Sequence, residues 1–222
     1  MAFRIPDGQL PDDAPAEPIG PMSYDAYLRF SESRELRYEY VGGFAYAMSG
    51  GTLAHHDIGL NVAVGLRTRT RGTACRAYHQ GFRIRTPRGD VYYPDTMVSC
   101  GPRPSDDALD LTDPCLVIEV LSPSTARTDL GEKRIAYQEI ASLQAYLVIE
   151  ATWRAVHRHW RDDTGEWQRE TISGASGSVP LPCPVGATLT LDEIYEDVQV
   201  PNESPRPRRV FEQPETTTAG AS

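Results

Sequence analysis

The spacing of apolar residues changes period several times along the chain, and each change predicts an element. Tyr24, Tyr27 and Leu28 share one helical face, and Ser23 can cap a short helix that runs to about residue 31. Two short strands, 38–41 and 44–48, flank Gly42-Gly43, the two-residue signature of a tight hairpin. Ile58, Val62 and Leu66 then recur every four residues with Ala63 beside them, which predicts a second helix over 54–70. Strands are expected at 74–78, 82–86, 91–93 and 96–100.

Residues 116–121 form a continuous apolar run broken only by Glu119, the pattern of a central strand buried on both faces. Pro123 should end it. Asp129-Leu130-Gly131-Glu132 has the form of a capping box opening a helix to about residue 140. Strands at 145–150, 155–160 and 166–172 make a meander, and 191–198 reads as a short closing helix. The order is helix, hairpin, helix, strands, helix, strands. It predicts a mixed α/β domain with a central sheet flanked by helices, not a regular βαβ repeat. The domain should span 22–198, between a Pro/Asp-rich tail at 1–21 and a Pro/Thr/Arg-rich tail at 199–222, both expected to be disordered.

Composition is that of an ordinary soluble protein, with 24% charged and 40% hydrophobic residues. No apolar stretch is long enough to span a bilayer, and the N-terminus lacks the apolar segment of a secretory signal, so a cytoplasmic protein without membrane contact is expected. Cys75, Cys100, Cys115 and Cys183 show no paired metal spacing and read as free thiols. His157 and His159 alternate on one strand face and could bind Zn²⁺, but no Cys or third His lies nearby in sequence.

The net charge of −9 argues against a protein that coats nucleic acid nonspecifically. Residues 1–21 carry −3 of it and 201–222 balance at zero, which leaves −6 on the body. Between Asp57 and Asp90 there is no acid, yet Arg67, Arg69, Arg71, Arg76, Arg83, Arg85 and Arg88 fall there. Such a stripe can hold a polyanion locally, or its first three members can simply cap the negative end of a helix. Arg83 and Arg85 are the candidates for substrate contact, with His55 at the start of the second helix.

Among 22 basic residues there is a single lysine, Lys133. Where arginine supplies every generic positive charge, a surviving lysine can mark a place that needs a compact ammonium. It lies fourteen residues beyond Glu119, which itself follows Asp95 by twenty-four. A charged Glu inside Leu-Val-Ile-Glu-Val-Leu is costly unless a partner compensates it. If their strands are neighbours, Asp95 and Glu119 converge as two hard oxygen ligands suited to Mg²⁺ or Mn²⁺. Lys133 could then position an attacking water and neutralise developing charge.

These residues resemble the PD-(D/E)XK restriction-endonuclease-like superfamily, and more closely its bacterial Uma-two branch. The resemblance is carried by Tyr38-Glu39-Tyr40-Val41 with the glycine pair, and by Met48-Ser49-Gly50-Gly51-Thr52 leading to His55. It continues in Tyr92-Tyr93-Pro94-Asp95, in Ile118-Glu119-Val120-Leu121-Ser122-Pro123-Ser124-Thr125, in Asp129-Leu130-Gly131-Glu132-Lys133 and in Ser142-Leu143-Gln144-Ala145-Tyr146-Leu147. It implies a restriction-endonuclease-like core with an N-terminal hairpin and a C-terminal meander. It also implies a Mg²⁺-dependent endonuclease acting on DNA, commonly as a homodimer. Asp95, Glu119 and the Val120 carbonyl would be metal ligands and Glu39 an accessory acid. The lysine that the superfamily places two residues after the Glu is Leu121 here, and Lys133 sits where a migrated replacement would. A displaced lysine also fits a catalytically inactive nuclease-fold module that binds nucleic acid or a protein partner.

Overall fold

The computed structural model describes residues 18–48, 50–122 and 129–205. The predicted stop at Pro123, and most of both predicted tails, fall outside these residues. Helix α1 (Tyr24–Glu32) starts where expected, with the Ser23 hydroxyl accepting from Ala26 N. Hairpin β1 (Tyr38–Val41) and β2 (Phe44–Ala47) turns through Gly42 and Gly43, both at positive φ, where a side chain would be strained. Helix α2 (Leu53–Thr70) buries Ile58, Val62 and Leu66. Four short strands follow, β3 (Arg76–His79), β4 (Arg83–Arg85), β5 (Val91–Tyr92) and β6 (Thr96–Ser99), and then β7 (Asp110–Leu111), which the pattern did not predict.

Strand β8 (Leu116–Val120) is buried along its whole length. It pairs antiparallel with β6 and parallel with β9 (Ala145–Ile149), and β10 (Ala155–Arg161) and β11 (Trp167–Ser173) complete the predicted meander. The six-stranded sheet runs β11-β10-β9-β8-β6-β3, and a five-stranded sheet runs β2-β1-β5-β4-β7. A small ribbon of β12 (Ser178–Pro180) and β13 (Thr188–Thr190) leads to the closing helix, which is only one turn long (Leu191–Ile194). Thr190 and Glu193 form its capping box.

Alternation along β8 decides what each side chain meets. Leu116, Ile118 and Val120 pack with Ile58, Val62 and Leu66 of α2. Val117 and Leu121 point the other way, into a core with Tyr92, Tyr137, Tyr146 and Met97. Glu119 shares that second face, where it has to find polar partners inside a hydrophobic layer.

Two expectations are corrected. The segment opening at Asp129 is not a capped α-helix. It is a π-helix, Asp129–Lys133, that passes into α3 (Arg134–Gln138) with no side-chain cap. The four cysteines are not free: Cys75 pairs with Cys100 and Cys115 with Cys183, leaving no free cysteine. Separations of 25 and 68 residues concealed this. The β3–β6 register places Arg76 opposite Ser99, so Cys75 falls opposite Cys100 one rung further on. Ile19 bridges Ala45, and Pro201 O accepts from Arg154 N at 2.8 Å. No helix among the described residues is long and apolar enough to cross a membrane.

Ile118 is fully buried at the centre of β8, so Ile118→Ala should cost about 2–5 kcal/mol by lost burial and cavity formation. The exposed Leu53 predicts a change within roughly 0.5 kcal/mol on truncation to Ala. Urea-unfolding midpoints of the two variants would check this contrast, and equal shifts would contradict the packing described.

Candidate active site

The β6–β8 ladder brings the two central carboxylates together. Thr96 pairs with Ile118, so the next rung outward sets Asp95 opposite Glu119. Pro94 cannot donate to a ladder, and regular pairing ends here. The two residues hold each other instead. Asp95 N donates to Glu119 Oε2 at 3.3 Å, and Val120 N donates to Asp95 Oδ2 at 2.7 Å.

Glu39 arrives from the other sheet. It stands on β1, and its Oε1 accepts from Tyr93 N at 3.3 Å, which ties the first hairpin to the Tyr93-Pro94-Asp95 turn. His55 comes from the first turn of α2, where the Thr52 hydroxyl accepts from its backbone N–H. The His55 ring lies 3.4 Å from Asp95 Oδ2. A Cβ at Gly51 would sit 2.6 Å from its Nδ1, so the glycine makes room for the ring.

Lys133 closes the cluster from the π-helix. Its Nζ lies 2.9 Å from Glu39 Oε1, 3.1 Å from Asp129 Oδ1 and 3.3 Å from Glu119 Oε1, with the Tyr92 ring centroid at 5.7 Å. Asp129, expected to be a helix cap, turns inward as a fourth carboxylate. Tyr137 Oη donates to Glu119 Oε1 at 3.0 Å, and Tyr146 Oη donates to the Asp129 carbonyl at 3.0 Å. Asp129 and Tyr137 were not singled out for the site in the sequence. The signal was present in their spacing, because Asp129, Lys133 and Tyr137 follow one another at four-residue steps and so share a helical face.

The charges do not balance. Glu39, Asp95, Glu119 and Asp129 face Lys133 and, when protonated, His55. Burial pushes the Glu119 carboxyl well above its usual range; Lys133 opposes this, while Asp129, Asp95 and Glu39 add to it. Burial also disfavours the Lys133 ammonium, but Glu119, Glu39 and Asp129 outweigh it and hold the lysine charged far above ordinary pH. Tyr137 is likewise held protonated, by burial and by Glu119, and so acts as a donor. Lys133 is therefore a fixed cation and not a base. The surplus of hard oxygen donors around Asp95 and Glu119 fits a hydrated divalent ion such as Mg²⁺ or Mn²⁺.

Exposure is graded across the cluster. The Glu119 and Asp129 side chains are 4% and 2% accessible, whereas those of Asp95 and His55 reach 17% and 16%. A ligand would meet Asp95 and His55 first.

Other candidates go elsewhere. Arg83 is buried against Asp110 at 2.6 Å, and the Arg85 guanidinium lies 4.0 Å over the Tyr24 ring, so neither reaches the cluster. Arg69 pairs with Glu193 and Arg88 with Glu139. The basic stripe is thus largely spent on structural contacts, although Arg67 and Arg76 line a cleft of about 380 Å³ with Tyr78, Phe82 and Arg103. His157 pairs with Glu150 and Thr171, and His159 stacks on Tyr146, so the two histidines take different partners. They border a cleft of about 820 Å³ whose walls carry none of the four clustered carboxylates.

Known proteins supply the context for this geometry. The model of the Uma2 family, described as "Putative restriction endonuclease", matches residues 24–192. Two proteins of Synechocystis are related, both bearing the name uncharacterized. One, slr1290, is 32% identical over 183 residues, covering 82% of this chain and 95% of its own. The other, sll1609, is 25% identical over 156 residues, covering 69% and 88%. A crystal structure from Anabaena variabilis, described as a putative nuclease belonging to DUF820, shares the fold with a TM-score of 0.67 at 18% identity, over 81% of this chain and all of that one.

Two measurements test the electrostatics. The His55 pKa is raised chiefly by its hydrogen bond to Asp95, against the effect of burial, whereas burial pushes His159 down to about 4. The His55–Asp95 interaction therefore stabilises the fold below the ordinary histidine pKa and fades as pH rises through the elevated value. NMR titration should show His55 titrating above 6.5 and falling back in Asp95→Asn; an unchanged His55 would contradict the contact. Lys133→Ala leaves buried carboxylates uncompensated and should cost about 3–5 kcal/mol at pH 8. Burial raises the Glu119 carboxyl above its unfolded value, so that acid favours folding when protonated, and the deficit should narrow at pH 5 in urea unfolding. An equal deficit at both pH values would argue against a buried charge cluster.

Proposed function

This chain belongs to the Uma2 family, and from that membership and the geometry above we propose that it is a divalent-metal-dependent endonuclease that hydrolyses phosphodiester bonds in DNA. The carrying observation is the convergence of the chain's one lysine on the carboxylates that flank Asp95. An Asp, a Glu and a Lys within one polar pocket at the end of paired strands form a charge-compensated site for a phosphate diester.

In this reading Asp95, Glu119 and the Val120 carbonyl hold Mg²⁺ or Mn²⁺, which supplies Lewis acidity at a phosphoryl oxygen and lowers the pKa of a neighbouring water. Lys133, kept cationic by Glu39, Glu119 and Asp129, orients that water through a donated hydrogen bond and offsets the negative charge that grows in the transition state. Glu39 fixes the ammonium and joins the site to the first hairpin. Tyr137 keeps one Glu119 oxygen engaged, so the carboxylate holds its orientation. His55, partly exposed beside Asp95, contacts the substrate phosphate in this reading. Cutting both strands of a duplex needs two such sites, so a homodimer is part of the proposal.

One observation favours an inactive module that binds nucleic acid or a protein instead: Leu121 stands where the superfamily carries its lysine. The two readings separate on turnover. With Mg²⁺ or Mn²⁺ the purified chain should cut plasmid, linear duplex or single-stranded DNA, and chelator should stop it. Asp95→Ala and Glu119→Ala should each lower the rate about 100-fold or more while circular dichroism stays unchanged. Cutting that survives in both folded variants would refute the metal assignment, and a folded wild type that cuts nothing would favour the inactive module.

A further inference from the structure

All four cysteines of the chain meet at one place. They come from four segments: Cys75 precedes β3, Cys100 follows β6, Cys115 precedes β8, and Cys183 lies between β12 and β13. Two disulfides that served only as separate cross-links would have no reason to touch. These do: Cys100 Sγ is 3.6 Å from Cys115 Sγ, and the sulfurs of Cys100, Cys115 and Cys183 all lie within 4.8 Å of one another. Tetrahedral Zn²⁺ with Zn–S bonds near 2.3 Å sets its sulfurs about 3.8 Å apart. The Cys100–Cys115 separation is already close to that spacing.

We propose that the reduced chain binds one Zn²⁺ on a tetrathiolate of Cys75, Cys100, Cys115 and Cys183, a site distinct from the carboxylate cluster. The frame for it is rigid. Cys115 N donates to Val98 O at 2.8 Å, and Cys115 O accepts from Gln144 N at 2.9 Å, which anchors one ligand between neighbouring strands. Cys100 ends the strand antiparallel to it, so two of the four sulfurs are positioned by the sheet itself. Cys75 and Cys183 are buried in the core with Val98, Leu116, Leu181 and Leu189. A dry apolar shell of this kind disfavours free thiolates and favours their neutralisation by a cation.

The conversion balances. A dithiol reductant gives two electrons and two protons to each disulfide, so two reductant molecules yield four thiols and leave as disulfides. Zn²⁺ then displaces the four thiol protons. Binding is therefore expected to weaken in acid.

The test uses the full chain, reduced anaerobically with a phosphine and freed of reductant, then titrated with Co²⁺ as a spectroscopic stand-in. One equivalent per chain should bind with the thiolate charge-transfer and tetrahedral ligand-field bands of a sulfur site, and Zn²⁺ should displace it. Cys75→Ser and Cys183→Ser should each weaken binding at least about tenfold, whereas Asp95→Ala should leave the bands intact, because its loss touches only the oxygen site. A second measurement needs no variant: Zn²⁺ should slow iodoacetamide alkylation of all four cysteines in the reduced wild type. Reduced protein that shows no thiolate band, or whose cysteines alkylate at the same rate with and without Zn²⁺, overturns the proposal. So does a Co²⁺ affinity that is unchanged in both cysteine variants.

Discussion

Lys133 carries a buried ammonium into a hydrophobic layer that also holds carboxylates and tyrosines, and those polar groups keep it there. Its ammonium joins β1, β8 and the π-helix through Glu39, Glu119 and Asp129. Each of those acids would be costly in this layer without it. The lysine would be equally costly without them. The π-helix places Asp129 and Lys133, four residues apart, on the inward side together, a local departure from α geometry of the kind that recurs at functional sites. The excess of negative charge that remains is the physical argument for a divalent cation.

The same two strands carry two different chemistries at their opposite ends. Because β6 and β8 run antiparallel, Asp95 and Glu119 meet at one end of the pair, and Cys100 and Cys115 meet at the other. Hard oxygen donors face the five-stranded sheet and the hairpin that brings Glu39. Soft sulfur donors face the C-terminal ribbon. The ladder between them is fully buried, so the carboxylate end and the sulfur end are held by one rigid element.

Arginine behaves differently from that single lysine throughout the molecule. Arg83 and Asp110, Arg69 and Glu193, and Arg88 and Glu139 tie elements together, and Arg85 stacks on Tyr24. A planar, permanently charged fork suits such pairing and stacking. A run of arginines without acids nearby in sequence therefore says little about a basic surface. Asp110, Glu139 and Glu193 neutralise Arg83, Arg88 and Arg69 once the chain is folded.

The sequence by itself determined the elements whose signals are local. Periodicity located α1, α2, the hairpin at Gly42-Gly43, the buried strand β8 and the meander, because a helical stripe or an alternating strand is written in consecutive residues. It also marked Asp95, Glu119 and Lys133 as a set, through one expensive Glu in an apolar run and one lysine among arginines, whereas Glu39 entered only through the family resemblance. Tertiary structure decided what depends on strand register and on which faces meet. Only the β6–β8 register sets Asp95 against Glu119. Only the inward turn of the π-helix makes Asp129 a partner of Lys133 in place of a cap. Only the convergence of four distant segments turns cysteines with no recognisable spacing into one cluster. The strand register and the cysteine cluster rest on contacts between residues tens of positions apart, of which the local pattern of hydrophobic and polar residues carries no record.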